Sequence, residues 1–303
     1  MTIDWLNYLP KLIPAAEIIM VAHLPPDHPV RIKHQENTWY SISVLKALHI
    51  EAELKQVLRA ANIQNSAHVL DLGCGAGVKA RFLLDSGAKR VTGVDIARDE
   101  LSLARKLPNP HGDRLQFIEA DALDTLPFAD STFDTVFIGD GFIDFYDEAV
   151  FAEIERVLRA EGNILCATTN ILPSTLYGWD RPFAAQMENA HWDATLDTGY
   201  AEYIAATGST YEGHFLEICA AFGLKVTHIP VIRSNPVPAA FEQLIQQTFS
   251  AFTSVVLRPY IEVEAWETLL AYHDPESADY LFQRSDATFV ELLTVASRHP
   301  INL

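Results

Sequence analysis

From Asp71 to Gly77 the chain reads Asp-Leu-Gly-Cys-Gly-Ala-Gly. Glycines at alternate positions let a backbone turn tightly and approach a ligand closely. Asp95 follows eighteen residues after Gly77. An acidic residue about twenty positions beyond such glycines suits the hydroxyls of a ribose. The chemistry implied is the binding of a nucleoside cofactor. A nicotinamide-dependent oxidoreductase is one reading, but its spacing is GxGxxG, whereas Gly73, Gly75 and Gly77 give GxGxG. A plain structural turn is another, because many turns are Gly-rich.

The elements that must carry these residues alternate. Short apolar runs at 67–72, 90–95, 115–121, 133–138 and 163–168 read as strands. Helical patterns at 78–84, 99–106 and 148–159 separate most of them. Such alternation is the pattern of a parallel sheet covered on both faces. A helix over 212–222 and strands over 224–233 and 287–297 complete seven strands. The predicted fold is α/β: a Rossmann-like, seven-stranded, mostly parallel sheet with a helical N-terminal extension and lid insertions. Residues 1–66 form a helical cap, with a helix at Glu51 to Ala61 after one carrying Trp39, Tyr40, Val44, Leu45 and Leu48. Residues 67–170 form the cofactor-binding core, 171–211 a lid insertion, and 212–303 the rest of the sheet with a helical insertion at 234–285.

In order along the chain, the motifs resemble those of class I S-adenosylmethionine-dependent methyltransferases. Asp71 to Gly77 resembles the first motif. Gly93-Val94-Asp95-Ile96 resembles the second, whose acid holds the ribose. Phe117 to Ala122 resembles the third, whose Asp and its neighbour frame the adenine. Leu126 to Asp134 resembles the stretch before the fourth strand, and Glu155 to Gly162 the turn before the fifth. Ala160-Glu161 stand where Pro-Gly is usual, which reads as a change tolerated in a turn. The resemblance covers about residues 40–170, 212–233 and 287–297. It implies S-adenosylmethionine as cofactor, held by Asp71, Gly73, Cys74, Gly75, Gly77, Asp95, Ile96, Asp121, Ala122 and Asp140. Asp71 orients the loop or the cofactor's ammonium group. Positioning carries much of such catalysis, with a base needed only where the acceptor must lose a proton.

The candidates on the acceptor side are fewer. Asp140 follows the fourth strand, at the end where open α/β sheets bind ligands. It is a cofactor contact, a base, a metal ligand, or simply a turn or helix-cap residue. His191 and His214 are the other candidate bases, since histidine titrates near neutrality. From Pro182 to Leu224 there is no Lys or Arg. That stretch reads as an aromatic, acidic lid for a neutral, aromatic or cationic acceptor, or as a solvated helical face. Trp39, Tyr40, Phe142, Trp192 and Tyr200 are candidate acceptor walls, with His34 or Glu36 as polar contacts. Asp140 and Asn170 echo two ligands of metal-dependent catechol-type O-methyltransferases. Thr169 stands where a carboxylate would be expected, so no metal site is expected.

Composition narrows the partners. The formal charge is −18, from 22 basic and 40 acidic residues in 303. Phosphate backbones and anionic membranes are bound through Lys and Arg, so neither nucleic acid nor membrane is an expected partner. No signal peptide is read at the start. Cys74, Cys166 and Cys219 lie in apolar stretches, as reduced thiols of a cytoplasmic protein would. The apolar positions Phe241, Leu244, Phe249, Phe252 and Val256 suit core packing or a subunit interface, which leaves a homodimer open. The expected activity is methyl transfer to O, N or C of a small-molecule acceptor. The alternatives are protein methylation, cofactor-assisted cyclisation or rearrangement, and cofactor binding for structure alone.

Overall fold

The computed structural model describes residues 3, 5–9, 24, 25, 27–139, 148–170, 211–248, 262–285 and 288–301. Seven strands form one sheet in the order β3-β2-β1-β4-β5-β7-β6. They are β1 (Val69–Leu72), β2 (Val91–Asp95), β3 (Leu115–Glu119), β4 (Phe133–Ile138), β5 (Leu158–Asn170), β6 (Lys225–Ser234) and β7 (Thr288–Ser297). The first five pair in parallel, and β7 runs antiparallel to both β5 and β6. The predicted seven-stranded, mostly parallel sheet is therefore present.

The helices among the described residues are α1 (Pro29–His49), α2 (Glu51–Ala60), α3 (Val78–Asp85), α4 (Arg98–Lys106), α5 (Glu148–Val157), α6 (Tyr211–Ala221), α7 (Ala239–Thr248) and α8 (Val263–His273). Local chemistry starts them. Pro29 opens α1 with φ already helical, and His28 Nδ1 accepts the Val30 N–H at 3.2 Å. Helix α4 has Asp99 and Glu100 in its first turn and Arg105 and Lys106 in its last, as the helix dipole favours.

Strand side chains alternate across the sheet. Val69, Val91 and Phe137 join α1, α2 and α3 in one core, whereas Leu70, Val94, Val136 and Ile138 join α5 and α6 in the other. All four residues of β1 are buried, Asp71 among them, as in a strand covered on both faces.

Element boundaries differ from the sequence reading, most of all at the fifth strand. The fifth strand begins at Leu158, directly after α5, and the expected turn at Ala160-Glu161 is instead part of an irregular strand. Phe133 pairs with Leu158 and Thr135 with Asn163, so β5 bulges by three residues there. A bulge accommodates the extra residues while pairing resumes on both sides. The third strand stops at Glu119, which leaves Asp121 in the following turn.

Candidate functional site

The sheet order reverses between β1 and β4, and the crevice beyond their carboxyl ends is where open α/β sheets bind ligands. A cleft of about 410 Å³ of empty space, part of it open to solvent, lies there. Its lining comes from three places. Asp71, Gly73, Cys74 and Ala76 belong to β1 and the glycine turn, Val78 and Lys79 to the start of α3, and Gly139 to the end of β4. Ser43, Val44 and Ala47 on α1 close it from above. The N-terminal helix α1 thus borders the cleft.

The glycine turn is shaped by its backbone. Gly73, Gly75 and Gly77 have φ of 71°, 49° and 72°, where a side chain is strained. Gly77 also has no room, since a Cβ there would lie 2.4 Å from Phe117 Cζ. The Gly75 N–H donates to Asp95 Oδ2 at 2.7 Å, and the Ala97 N–H to Asp95 Oδ1 at 2.8 Å. Asp95 therefore binds the turn to the start of α4. Arg81, buried within α3, donates to the Gly77 carbonyl at 2.9 Å and to the Ala104 carbonyl at 3.0 Å.

Asp71 is 1% exposed and its Oδ2 has no hydrogen-bond partner. Burial pushes its carboxyl up to about 7, against the pull of Lys79 and of a hydrogen bond from the Ala80 backbone. The same burial, with Asp71 and Asp95 nearby, drives the Cys74 thiol well above its ordinary range. Tyr40 is buried beside the cleft rather than on its wall, and its hydroxyl also has no partner. Desolvation, then the Glu100 carboxylate, raises the phenol to about 12. Glu100 itself is raised to about 7 by burial and by Asp95. A Cβ on Gly75 would sit 3.7 Å from Glu100 Oε2, so this carboxyl overlooks the turn.

The two remaining cofactor candidates lie beyond β2 and β3. Ile96 is 63% exposed, an apolar side chain left uncovered at the end of β2. Asp121 Oδ1 accepts the Leu123 N–H at 2.9 Å, which fixes the turn that carries buried Ala122. Asp71, Gly73 and Cys74 thus meet at the cleft, with Gly75 and Asp95 bonded at its edge.

Asp140, Phe142, His191, Trp192 and Tyr200 lie outside the described residues, as does most of the expected lid at 171–211. His214 falls on α6 and Trp39 on α1, but their side chains lie outside them as well. Among the described residues no group of three His, Cys, Asp or Glu is placed to hold a metal ion. The sequence reading missed Ser43, Ala47, Lys79, Glu100 and Gly139. Lys79, two residues past the glycine turn, carries no local signal that separates it from a solvated lysine at a helix start.

The family described as a methyltransferase domain matches residues 69–162. Methyltransferase GfsG of Streptomyces halstedii is 33% identical over 120 residues, which cover 39% of this chain and 43% of that protein. Demethylmenaquinone methyltransferase of Thermus thermophilus is 35% identical over 125 residues, 40% of this chain and 56% of that protein. Among solved structures, the PH0226 protein of Pyrococcus horikoshii is 32% identical, with 42% of this chain and 59% of that chain covered and a TM-score of 0.35. The chain spans about half the length of the curated relatives it matches. The resemblance read from the motifs is matched by the methyltransferase-domain family across residues 69–162.

Proposed function

We propose that the protein is an S-adenosylmethionine-dependent methyltransferase that methylates O, N or C of a small-molecule acceptor. The observation that carries this reading is the cleft at the sheet's switch point, where the glycine turn, Asp95 and the partnerless Asp71 Oδ2 converge. The orphaned oxygen suits a ligand cation, and the glycine turn suits close backbone approach. When bound, S-adenosylmethionine supplies an activated methyl group on a sulfonium sulfur. Asp95, Ile96, Asp121 and Ala122 would hold its nucleoside; Asp71, Gly73, Cys74, Gly75 and Gly77 would hold its amino-acid part. The apolar packing of Val44, Ala47 and Val78 along the cleft restricts water on that side.

On the acceptor side, a net charge of −18 supports a small molecule over a polyanion. The relatives named demethylmenaquinone methyltransferase and 2-methyl-6-phytyl-1,4-hydroquinone methyltransferase make hydroquinone-type acceptors the first to try. Residues 1–66 would act as the cap, 67–170 as the cofactor core, 171–211 as the lid and 212–303 as the remaining sheet. A cytoplasmic setting fits the three buried free thiols. No described helix is long and apolar enough to cross a membrane.

The test is calorimetric titration with S-adenosylmethionine, S-adenosylhomocysteine and NAD in parallel. Binding of the two adenosyl compounds but not NAD is expected. An acceptor screen read by S-adenosylhomocysteine release then separates methyl transfer from cofactor binding alone. A folded protein that binds neither adenosyl compound would sink the proposal.

A further inference from the structure

Tyr40 on α1 is 8% exposed, and its hydroxyl is buried without a hydrogen-bond partner. An orphaned buried donor costs free energy, so it points to a partner met in another state of the protein. Burial and the charge of Glu100 hold the phenol at about 12, so the hydroxyl keeps its proton and remains a donor.

The acceptor beside it is Glu100. This residue is the third of α4, a position from which glutamate commonly reaches back to the N–H of the residue that caps the helix. Here the cap is Ala97, and its N–H is already held by Asp95 Oδ1 at 2.8 Å. Glu100 is therefore released from helix capping. Its Oε2 lies instead at the glycine turn, 3.7 Å from where a Cβ on Gly75 would sit. Among the described residues it makes no hydrogen bond. Donor and acceptor thus feel one another without bonding. They belong to different elements, and Tyr40 shares its face of α1 with Ser43, Val44 and Ala47, which line the cleft three, four and seven residues on. Whatever fixes the phenol also fixes that wall.

We infer that Tyr40 and Glu100 are positioning residues that form a latch: when the cleft is filled, the phenol donates to the Glu100 carboxylate and holds α1 over the glycine turn. The inference rests on the cofactor reading above, since the cofactor is what fills the cleft. It adds to that reading a closing step that the N-terminal helix performs. Neither residue is required to touch the transferred methyl or the acceptor.

The test measures release of S-adenosylhomocysteine from the full chain by stopped flow and, separately, urea unfolding without ligand. The variants are Tyr40→Phe, Glu100→Gln and the two together. Loss of one hydrogen bond to a charged group predicts release about tenfold or more faster from Tyr40→Phe. Glu100→Gln keeps an acceptor and should lose less, and the double variant should release no faster than Tyr40→Phe alone. Without ligand, the urea midpoint of Tyr40→Phe should equal or exceed that of wild type, because only an unsatisfied hydroxyl is removed. Hydrogen exchange along α1 should slow on binding in wild type and slow less in Tyr40→Phe. Unchanged release from Tyr40→Phe, or equal slowing of exchange in both proteins, would overturn the inference. A lowered midpoint in ligand-free Tyr40→Phe would overturn it too, by showing a hydroxyl that already supports the open chain. Additive rates in the double variant would do the same, by showing two unrelated contacts. If wild type does not bind S-adenosylhomocysteine, it is the cofactor reading that has failed, and the inference falls with it.

Discussion

The carboxylate of Asp95 accepts the backbone N–H of Gly75 at 2.7 Å, so the end of β2 fastens the glycine turn that follows β1. Its second oxygen takes the Ala97 N–H at the start of α4. One side chain therefore sets the spacing between the turn and the helix beyond β2. Hydrogen bonds to a charged group contribute about 1.5–3 kcal/mol each. Asp95→Ala should weaken S-adenosylhomocysteine binding by about tenfold to a hundredfold. Asp95→Asn keeps one acceptor and should lose less. Calorimetry decides, and unchanged affinity in Asp95→Ala would place the ribose contact elsewhere.

Asp71 gives a pH signature with a defined sign. Burial raises its carboxyl from 3.8 to about 7 in the folded chain. Between those values the unfolded chain has released this proton and the folded chain has not. Stability from this group is therefore lost as pH rises from about 4 to about 7, and is level above that. Asparagine does not titrate, and the shifts of His68 and His273 are common to both proteins. Asp71→Asn should gain stability relative to wild type across this window, by up to about 4 kcal/mol. Urea midpoints at intervals from pH 4 to 8 measure the difference. A flat difference would show that the carboxyl titrates normally.

A second charge contact ties the cap to the far side of the sheet. Arg233 on β6 donates to Glu53 at 2.8 and 2.7 Å and to the His49 carbonyl at 2.8 Å, at the junction of α1 and α2. Both side chains are mostly covered. The pair holds the Glu53 carboxyl below its usual range despite the opposing effect of burial. Its contribution is present above the ordinary glutamate range and is lost as pH falls through the folded value. Glu53→Gln should cost about 1–3 kcal/mol at neutral pH and less at acid pH. Chemical unfolding at pH 7 and pH 4 checks both statements. An equal cost at the two pH values would mean that packing, not charge, is what the substitution removes.

The sheet was legible because its inner strands are buried on both faces and so appear as short apolar runs between helical patterns. The glycine turn and Asp95 were legible because local backbone demands left fixed spacings. Lys79 and Glu100 were not, because a lysine or glutamate near a helix start looks like ordinary solvated surface. Only the fold lays Lys79 against Gly139 at the end of β4 and brings Glu100 Oε2 close to Gly75. The bulge of β5 escaped for a similar reason, since Ala160-Glu161-Gly162 carries local turn chemistry and only the pairings of Leu158 and Asn163 with β4 on either side make it a bulge within one strand.

Arg81 presents the most exacting local requirement in the site. Its guanidinium lies 5.5 Å from the Trp5 ring and 5.6 Å from the Phe117 ring, and it is 3% exposed. Burial lowers it to about 10, so it stays charged at neutral pH. It spans two elements, donating to the Gly77 carbonyl of the glycine turn and to the Ala104 carbonyl of α4. A planar fork can reach both at once, while a lysine ammonium is a point charge on a flexible stem. Arg81→Lys should therefore keep the charge yet lose about 2–4 kcal/mol of stability. The same change should weaken S-adenosylhomocysteine binding, because the turn loses an anchor opposite to Asp95. Coupling to Trp5 follows from the ring contact, so Trp5→Leu should cost less in Arg81→Lys than in wild type. A double-mutant cycle on urea unfolding measures that coupling. Additive costs would mean that the ring only fills space, and that the hydrogen bonds to Gly77 and Ala104 account for what Arg81 contributes.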